Sequence, residues 1–357
     1  MDVKLDQLSR RLRGLRLGYR LVKKWKSVLG REKSLDMATM TGFYKTVWGE
    51  AAKEISAELF ELAEGVWEVR RGARSTLIHN YIVQIDDPVV LHLAGHKPLC
   101  YRLLMKEGLP VPEHRVYTLH QLEKAKAFME GRAGEFFVVK PAVGTSGSRG
   151  VTTHVQSDRE LLHASVLASL FSDEILIERL IPGESYRLLF LNGRMIRASR
   201  RLGDWVEGDG RSDLGRLMEG VARPIPFDRD CQATLRAQGL SKESIPAKGE
   251  SVLVKSFSHL SEDNIETRTV YDSDATDLIC PEIQKQAAKA VGAIGSQFAG
   301  VDLITLNPAV PLENCGGVIN EINTTPGLHH HDYPMNHDAP VKSAVEVLKF
   351  LLEITTD

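Results

Sequence analysis

The sequence has few of the features that mark secreted, zinc-binding or membrane-spanning proteins. Its 357 residues contain four cysteines, and none of them forms a CxxC pair. This usage is typical of reduced thiols and argues against a disulfide framework or a structural zinc site. The sequence has no signal-peptide pattern and no apolar run long enough to cross a bilayer. We therefore expect a cytoplasmic protein.

The chain also lacks a strong excess of either charge. Its formal net charge is −2, and charged residues make up 26% of the sequence. A near-neutral protein is a poor partner for a polyanion, so we expect no nucleic-acid binding. The hydrophobic content of 43% is that of an ordinary globular protein. A chain of this length is expected to form two or three domains with a large core.

The first 33 residues differ from the rest in charge. They contain eleven lysines and arginines against three acidic residues, and their leucines recur at near-helical spacing. A basic amphipathic helix binds an anionic membrane or a partner, or it packs on its own domain with a solvated basic face. We expect the last of these, and this helix is the single feature that favours a membrane. The N-terminal region is also a candidate interface for a homo-oligomer.

A strand-like run followed by a glycine-rich loop is the most informative stretch of the chain. The run 136–141 contains Lys140, and the loop 144–150 alternates glycines with hydroxyl side chains. Glycine lets the backbone turn its N–H groups inward, which suits phosphate oxygens. The stretch differs from a Walker loop because its lysine precedes the glycines, and from a dinucleotide fingerprint because a strand follows it. Taken alone, it is equally compatible with a hairpin turn.

Hydrophobic periodicity predicts an α+β protein with two lobes rich in antiparallel strands. Apolar residues at helical spacing predict a helix over 48–64, which Gly65 would end. Asn192-Gly193 predicts a tight hairpin between strands 186–191 and 195–201. We expect three parts: a helical region with a small α/β domain over 1–92, an N-lobe over 93–182 and a C-lobe over 183–357.

Oxygen-bearing side chains near the C-terminus form a candidate metal site. Asp302 lies in one predicted strand, and Glu321 and Asn323 lie two apart in another, so both point to one face. Carboxylate and amide oxygens suit Mg²⁺. The alternative is a set of solvent-facing residues on an edge strand, but the apolar neighbours Ile319 and Ile322 favour a central strand.

Three consecutive histidines, at 329–331, precede Asp332. Consecutive side chains on irregular backbone point in different directions, so we expect substrate contact or structural hydrogen bonds here in preference to a transition-metal site.

The ordered set of these residues resembles the ATP-grasp superfamily of carboxylate–amine ligases. It is most similar to the ATP-grasp module of cyanophycin synthetase, without the Mur-ligase-like half, over about 95–345. The stretches that carry the resemblance include Phe137-Val138-Val139-Lys140-Pro141, Ile177-Glu178-Arg179-Leu180, Tyr186-Arg187, Ala198-Ser199-Arg200-Arg201, Gly300-Val301-Asp302 and Asn320-Glu321-Ile322-Asn323.

The resemblance implies an ATP-grasp fold that holds ATP between two α+β lobes, with an extra N-terminal region. It assigns the phosphates to Lys97, Lys140 and the lid residues Gly144, Thr145, Ser146, Gly147, Ser148 and Gly150. It assigns the adenine to Glu178, Arg179 and Leu180. It also implies that Mg²⁺, or Mn²⁺ in its place, is held by Asp302, Glu321 and Asn323.

The resemblance further implies catalytic side chains and a substrate class. Arg200 would hold the phosphorylated carboxylate, and Arg187 and Lys255 are further candidates in the same pocket. ATP phosphorylates a carboxylate and a bound amine then attacks, so that two amino acids or short peptides are joined and ADP and phosphate are released. The alternatives are a glutathione-synthetase-like ligase, a phosphotransferase that stops at phosphoryl transfer, and a nucleotide-binding scaffold without turnover.

The chain departs from the family pattern at two places. Ser185 stands where the family has a ribose-binding carboxylate, and Glu184, one residue earlier, is the candidate replacement. Ser261-Glu262-Asp263 replaces a Thr-Gly-Gly turn near the acceptor pocket. We therefore expect a substrate other than cyanophycin.

Overall fold

The structure, a computed structural model, describes residues 35–132, 134–145, 150–201, 203–221, 224–225, 227, 229–255, 272–332, 334, 336–337 and 342–353. The predicted basic helix within residues 1–33 lies outside these residues. So do Ser146, Gly147 and Ser148 of the glycine-rich loop and the departure at 261–263.

Helices and strands alternate irregularly along the described residues. The helices are α1 (Leu35–Glu54), α2 (Pro88–Ala94), α3 (Lys97–Lys106), α4 (Leu122–Glu130), α5 (Asp158–Ser169), α6 (Leu214–Gly220), α7 (Arg229–Ala237), α8 (Pro281–Ile294), α9 (His329–Asp332) and α10 (Ser343–Leu351). The strands are β1 (Glu58–Ala63), β2 (Val66–Arg71), β3 (Arg74–His79), β4 (Ile82–Val83), β5 (His114–Tyr117), β6 (Phe137–Pro141), β7 (Thr152–Val155), β8 (Ile175–Arg179), β9 (Glu184–Leu191), β10 (Arg194–Arg201), β11 (Asp204–Glu207), β12 (Ser251–Lys255), β13 (Asp272–Asp274), β14 (Phe298–Thr305) and β15 (Val318–Thr324). The predicted α+β class with antiparallel sheets is confirmed.

These elements form two compact units, and each unit is assembled from separate segments of the chain. Unit 1 takes the described residues of Pro112–Leu180 and Leu202–Asn264. Unit 2 takes those of Leu29–Val111, Ile181–Arg201 and Ile265–Asp357. The boundaries predicted at residues 92 and 182 do not coincide with those of these units. The assignment of domains stays a prediction.

Unit 1 contains two antiparallel sheets, each with its own core. The larger sheet has the strand order β5-β8-β6-β7, and helices α4 and α5 cover it through buried residues such as Phe128, Phe137 and Leu161. The smaller sheet pairs β11 with β12 and packs against α6 and α7. In the larger sheet, β6 and β8 lie side by side in the middle, so side chains on one face of both strands are buried.

The main sheet of unit 2 has the strand order β13-β10-β9-β14-β15. Asn192 and Gly193 adopt positive φ angles of 48° and 75° and join β9 to β10, which confirms the predicted hairpin. A β-bulge follows the turn, because the pairing register shifts between Met195 and Arg197. One face of this sheet packs on α8, and the other packs on α1 and α10.

The predicted helix over 48–64 is correct only in its first half. Helix α1 ends at Glu54, and residues 58–63 form strand β1, paired antiparallel with β2. Leu59 and Leu62 fit the helical spacing, but the backbone groups of β1 find their hydrogen-bond partners in the neighbouring strand. Ser56, with a φ angle of 56°, marks the break between the two elements.

The expectation that residues 318–323 form a central strand is also wrong. Strand β15 lies at the edge of the main sheet and pairs with β14 on one side. The N–H of Ile319 donates a hydrogen bond of 2.9 Å to the carbonyl oxygen of Pro110 on its other side. The extended connector therefore supplies a backbone partner on the open side of the strand. The strand is apolar although it lies at the edge, because Ile319 and Ile322 are buried in the core that includes α8.

No helix among the described residues is long and apolar enough to span a membrane. Cys100, Cys231, Cys280 and Cys315 are all free.

Trp48 is the clearest test of the core that joins α1 to the main sheet of unit 2. Its side chain is fully buried, and its indole N–H donates a hydrogen bond of 2.7 Å to the carbonyl oxygen of Asn80. We predict that Trp48→Ala lowers the free energy of unfolding by about 3–5 kcal/mol. Urea denaturation followed by circular dichroism measures the loss. Trp205→Ala, at a residue that is 49% exposed, is the control and should cost less than about 1 kcal/mol. Equal losses would contradict this assignment of the core.

Candidate active site

A buried ion pair lies at the centre of the larger sheet of unit 1. The ammonium group of Lys140 on β6 lies 2.7 Å from the Glu178 carboxylate on β8, and the two side chains are 6% and 5% exposed. The sheet register explains the contact, because Val138 is opposite Glu178 and Lys140 follows two residues later on the same face. The structure thus brings together two of the residues predicted to bind the nucleotide.

The residues that follow Glu178 in the predicted adenine-binding stretch already form hydrogen bonds within unit 1. The backbone N–H groups of Arg179 and Leu180 donate to the carbonyl oxygens of Glu113 and Phe136 at 3.0 and 2.8 Å. The Arg179 side chain binds the Glu135 carboxylate at 2.6 Å.

The ends of the glycine-rich loop have the backbone conformation that glycine favours. Gly144 and Gly150 have φ angles of 72° and 76°. A Cβ atom at Gly150 would lie 2.7 Å from the Phe171 ring and 2.9 Å from Pro141. Glycine is therefore required there both by conformation and by close packing.

Lys255 is the one predicted catalytic residue that belongs to unit 1. It ends β12 opposite Asp204, and it is 1% exposed. It is buried next to a strand partner of opposite charge, and its catalytic role stays a prediction.

Arg187 and Asp302 form the central ion pair of unit 2. Nε and a terminal nitrogen of Arg187 bind the two carboxylate oxygens of Asp302 at 2.6 and 2.7 Å. The side chains are 11% and 7% exposed. Burial alone raises the pKa of Asp302, but the attraction of Arg187 and its hydrogen bonds outweigh burial and leave that pKa below its usual value.

The other predicted metal ligands surround this pair. Asp302 lies opposite Arg187 on one side and Glu321 on the other. The Asn323 amide lies 3.2 Å from Asp302, and the Glu321 carboxylate binds Lys97 at 2.9 Å. The structure therefore brings Lys97, Arg187, Asp302, Glu321 and Asn323 together, as the sequence predicts.

These oxygen donors fit the chemistry of a magnesium site. Asp302 and Glu321 are cross-strand partners, and the amide group of Asn323 lies beside them. Among the described residues, no group of three or more histidine, cysteine or acidic side chains is arranged to hold a metal ion. Two carboxylates and an amide are ligand types that suit an ion that also takes phosphate oxygens and water.

Arg200 does not join this cluster. Its neighbours in register, Tyr186 and Ser273, lie on the opposite face of the sheet from Arg187. Its guanidinium binds the Glu184 carboxylate, which also accepts a hydrogen bond of 2.7 Å from the Tyr186 hydroxyl. Glu184 is thus engaged next to Ser185, and its role at the ribose stays a prediction.

Arg201 takes the place predicted for Arg200. It follows Ser199, the partner of Arg187, by two residues on β10 and therefore faces the same side. A terminal nitrogen of Arg201 lies 3.8 Å from the Asp302 carboxylate. Sequence reasoning missed this residue, although the pair Arg200-Arg201 on one strand already indicates that one arginine lies on each face.

The three histidines of α9 make different contacts. His329 hydrogen-bonds the Tyr44 hydroxyl at 2.9 Å, and His330 binds the Asp272 carboxylate at 2.8 Å. These are the structural hydrogen bonds expected from the sequence. Neither ring nitrogen of His331 has a hydrogen-bond partner among the described residues. Burial, followed by the nearby charge of Arg187, lowers the pKa of His331 to about 3, so the ring is neutral at pH 7.

The next residue, Asp332, generates a pH prediction. Its Oδ1 accepts a hydrogen bond of 2.9 Å from the backbone N–H of Ser343, and burial raises its pKa to about 7. A carboxyl group whose pKa is raised by folding binds more protons in the native state, so stability falls as the pH rises from about 4 to 7. Asp332→Asn keeps the acceptor oxygen and removes this loss.

We predict that the unfolding free energy of Asp332→Asn, relative to that of the wild type, rises by up to about 4 kcal/mol between pH 4 and 7. Urea denaturation at several pH values measures the difference. Titration of His331 is common to both proteins and largely cancels in the comparison. A difference that stays constant with pH would contradict the buried carboxyl group.

Comparison with known proteins finds relatives of which only a part matches this chain. No model of a known protein family matches it. Cyanophycin synthetase of Trichormus variabilis is 31% identical over 258 residues, which cover 68% of this chain and 28% of that protein. The glutathione biosynthesis bifunctional protein GshAB of Enterococcus faecalis is 26% identical over 323 residues, which cover 84% of this chain and 41% of the relative.

A solved structure supports the fold. The bifunctional glutathione synthetase of Pasteurella multocida matches with a TM-score of 0.59 and 21% identity, over 95% of this chain and 47% of that one. The chain spans about a quarter to less than a half of these relatives. The resemblance carried by the sequence motifs is confirmed: the chain belongs to the ATP-grasp superfamily, as a protein that matches part of cyanophycin synthetase.

Proposed function

We propose that this protein is an ATP-dependent carboxylate–amine ligase that joins amino acids or short peptides through an acyl phosphate. The observation that carries the proposal is the cluster on one face of the main sheet of unit 2. It combines the carboxylates of Asp302 and Glu321 with the guanidinium groups of Arg187 and Arg201. Such a set suits a phosphoryl group and the carboxylate that receives it.

Unit 1 supplies a point charge for the nucleotide phosphates. Lys140 is held by Glu178 at 2.7 Å in a nearly inaccessible position. A lysine held in this way has an ammonium group of fixed orientation. Little reorganisation is therefore needed when a phosphate binds. Lys97 would act similarly in unit 2, where it is held by Glu321 at 2.9 Å.

Asp302, Glu321 and Asn323 would hold Mg²⁺, which when bound neutralises phosphate charge during transfer. Without the ion, Arg187 and Lys97 balance the same carboxylates. The two cations therefore hold the acidic side chains in place.

Arg201 is the side chain best suited to the reacting carboxylate. Among the described residues, its one ion pair is the 3.8 Å contact with Asp302, and it makes no hydrogen bond. Its planar N–H groups can take two oxygens at once. The γ-phosphoryl group of ATP passes to the carboxylate oxygen and ADP leaves. The amine then attacks the acyl carbon, and phosphate departs with that oxygen as the amide forms.

A glutathione-type peptide is the second candidate product. The match to GshAB covers 84% of this chain, and the glutathione synthetase structure covers 95% of it. The cyanophycin synthetase match covers a smaller share of the chain, 68%.

We also propose a cytoplasmic location, in keeping with four free cysteines, and amino-acid or peptide substrates. Homo-oligomerisation stays a prediction.

ADP release across pairs of amino-acid donors and acceptors, with mass spectrometry of the products, tests the proposal. We expect a pair that yields ADP, phosphate and an amide, and glutathione is one product to look for. With hydroxylamine as the amine, a ligase gives a hydroxamate, whereas a phosphotransferase gives a stable phosphorylated product. Glu321→Ala should lower the rate by about 10³-fold or more, and Glu313→Ala, at an exposed acid of the same unit, should not. Unchanged turnover in Glu321→Ala would contradict the proposed magnesium site, and no ADP release from any pair would indicate a nucleotide-binding scaffold without turnover.

A second prediction separates the two adjacent arginines. Arg201→Gln should lower kcat/KM by about 10²–10³-fold, because it removes a donor to the developing oxyanion. Arg200→Gln disturbs a half-exposed ion pair with Glu184 and should change kcat/KM by less than about tenfold. A larger loss in Arg200→Gln than in Arg201→Gln would overturn the assignment.

A further inference from the structure

Three polar groups in or beside the arginine cluster have hydrogen-bonding capacity that no contact among the described residues uses. The first is His331, whose ring is 3% exposed and has no hydrogen-bond partner on either nitrogen among the described residues. A neutral imidazole offers one donor and one acceptor. Leaving both unused in a buried position is costly, so a partner is expected to fill this place.

The second group is the Arg201 guanidinium. Its contact with Asp302 at 3.8 Å is too long for a hydrogen bond, and the carboxylate is already bound by Arg187 through both oxygens. Arg201 therefore keeps donors for a ligand within unit 2. Burial and the like charge of Arg187 lower its pKa, which indicates a cation that lacks a full counter-charge.

The third group is Asp272 on β13, directly opposite Arg201 in the sheet register. Asp272 is bound by His330 at 2.8 Å through Oδ2 and forms no ion pair with Arg201. Burial raises its pKa although Arg201 and Arg187 are near. One carboxylate oxygen thus stays without a hydrogen bond from the described residues.

Asp272 and Arg201 are cross-strand partners of opposite charge that form no ion pair with each other. An α-amino acid carries its ammonium and carboxylate groups on one carbon atom, so it can bind Asp272 through the first group and Arg201 through the second. His331 lies near both groups, since the charges of Asp272 and Arg201 act on its ring.

We propose that Asp272 and Arg201, with His331 beside them, form a binding site for the carboxylate donor as a free α-amino acid. Arg201 takes the carboxylate that is phosphorylated, and Asp272 takes the ammonium group on the same carbon. The assignment rests on the proposed ligase function, because the donor end is identified by the proximity of Arg201 to Asp302. It makes Asp272 a specificity-determining residue that rejects donors with a blocked amino group.

The test uses the full chain with Mg-ATP, and hydroxylamine replaces the acceptor. Hydroxylamine converts an acyl phosphate to a hydroxamate and phosphate, so the readout depends on the donor alone. The donors are the common L-amino acids and their N-acetyl derivatives. We expect the wild type to prefer the free amino acid in kcat/KM by on the order of 10²-fold or more, since the acetylated donor leaves Asp272 unpaired.

Asp272→Asn should reduce this preference to less than about tenfold, mainly through the loss of the free amino acid, since the amide cannot balance an ammonium charge. Asp274→Asn is the matched control. Asp274 lies two residues further on the same strand and is bound by Thr276 and His337, so the preference should stay as in the wild type. Thermal unfolding of each variant verifies that it is folded.

The outcomes distinguish this inference from the function on which it rests. Hydroxamate formed equally from free and N-acetylated donors, or an unchanged preference in folded Asp272→Asn, overturns the inference and leaves the ligase intact. If no donor gives hydroxamate, the ligase proposal fails. Equilibrium binding by the wild type then decides about the site: binding of free amino acids alone supports it, and equal or absent binding of both forms overturns it.

Discussion

The Arg187–Asp302 pair is the interaction on which the candidate site of unit 2 depends. The two side chains meet through two short hydrogen bonds in the middle of the main sheet, with 11% and 7% of their surface exposed. Removing either partner would leave a buried charge without its counter-ion, which is among the most costly changes in a protein interior. Asn323 and Arg201 both make their contacts with Asp302, and Glu321 is its partner in the neighbouring strand.

This arrangement links stability to chemistry. Each carboxylate proposed to hold the metal is bound by a cation in the same unit, Asp302 by Arg187 and Glu321 by Lys97. The pairs keep the acids oriented. Glu178 and Lys140 follow the same plan in unit 1. The proposed ligase would therefore start from charges that are already fixed in place, which lowers the cost of reorganisation during phosphoryl transfer.

Much of the site was predictable from the sequence, because its residues lie within strongly patterned strands. Asn192-Gly193 predicts the hairpin, and the two-residue spacing of Glu321 and Asn323 predicts that both side chains lie on one face of the sheet. The choice between Arg200 and Arg201 was not predictable. In a regular two-residue hairpin, Arg187 would pair with residue 198, and Arg200 would share its face. The bulge between Met195 and Arg197 shifts the register by one residue, so Arg201 takes that position.

Other parts of the fold depend on pairing that local sequence does not specify. Residues 58–63 have helical spacing as well as strand propensity, and their partner in β2 decides between the two. Strand β15 is apolar at the edge of its sheet because Ile319 and Ile322 are buried in the core that includes α8. The unused ring of His331 and its neighbour Asp272 come together only through the folding of α9 beside β13, some 60 residues apart in sequence.

A double-mutant cycle of Arg187→Met and Asp302→Asn, measured by urea denaturation, tests the central claim most directly. We expect each single variant to lose about 3–5 kcal/mol of unfolding free energy and the double variant to lose clearly less than their sum. The resulting coupling energy should be about 2 kcal/mol or more in favour of the pair. Additive losses, with a coupling below about 0.5 kcal/mol, would show that this ion pair does not organise the site.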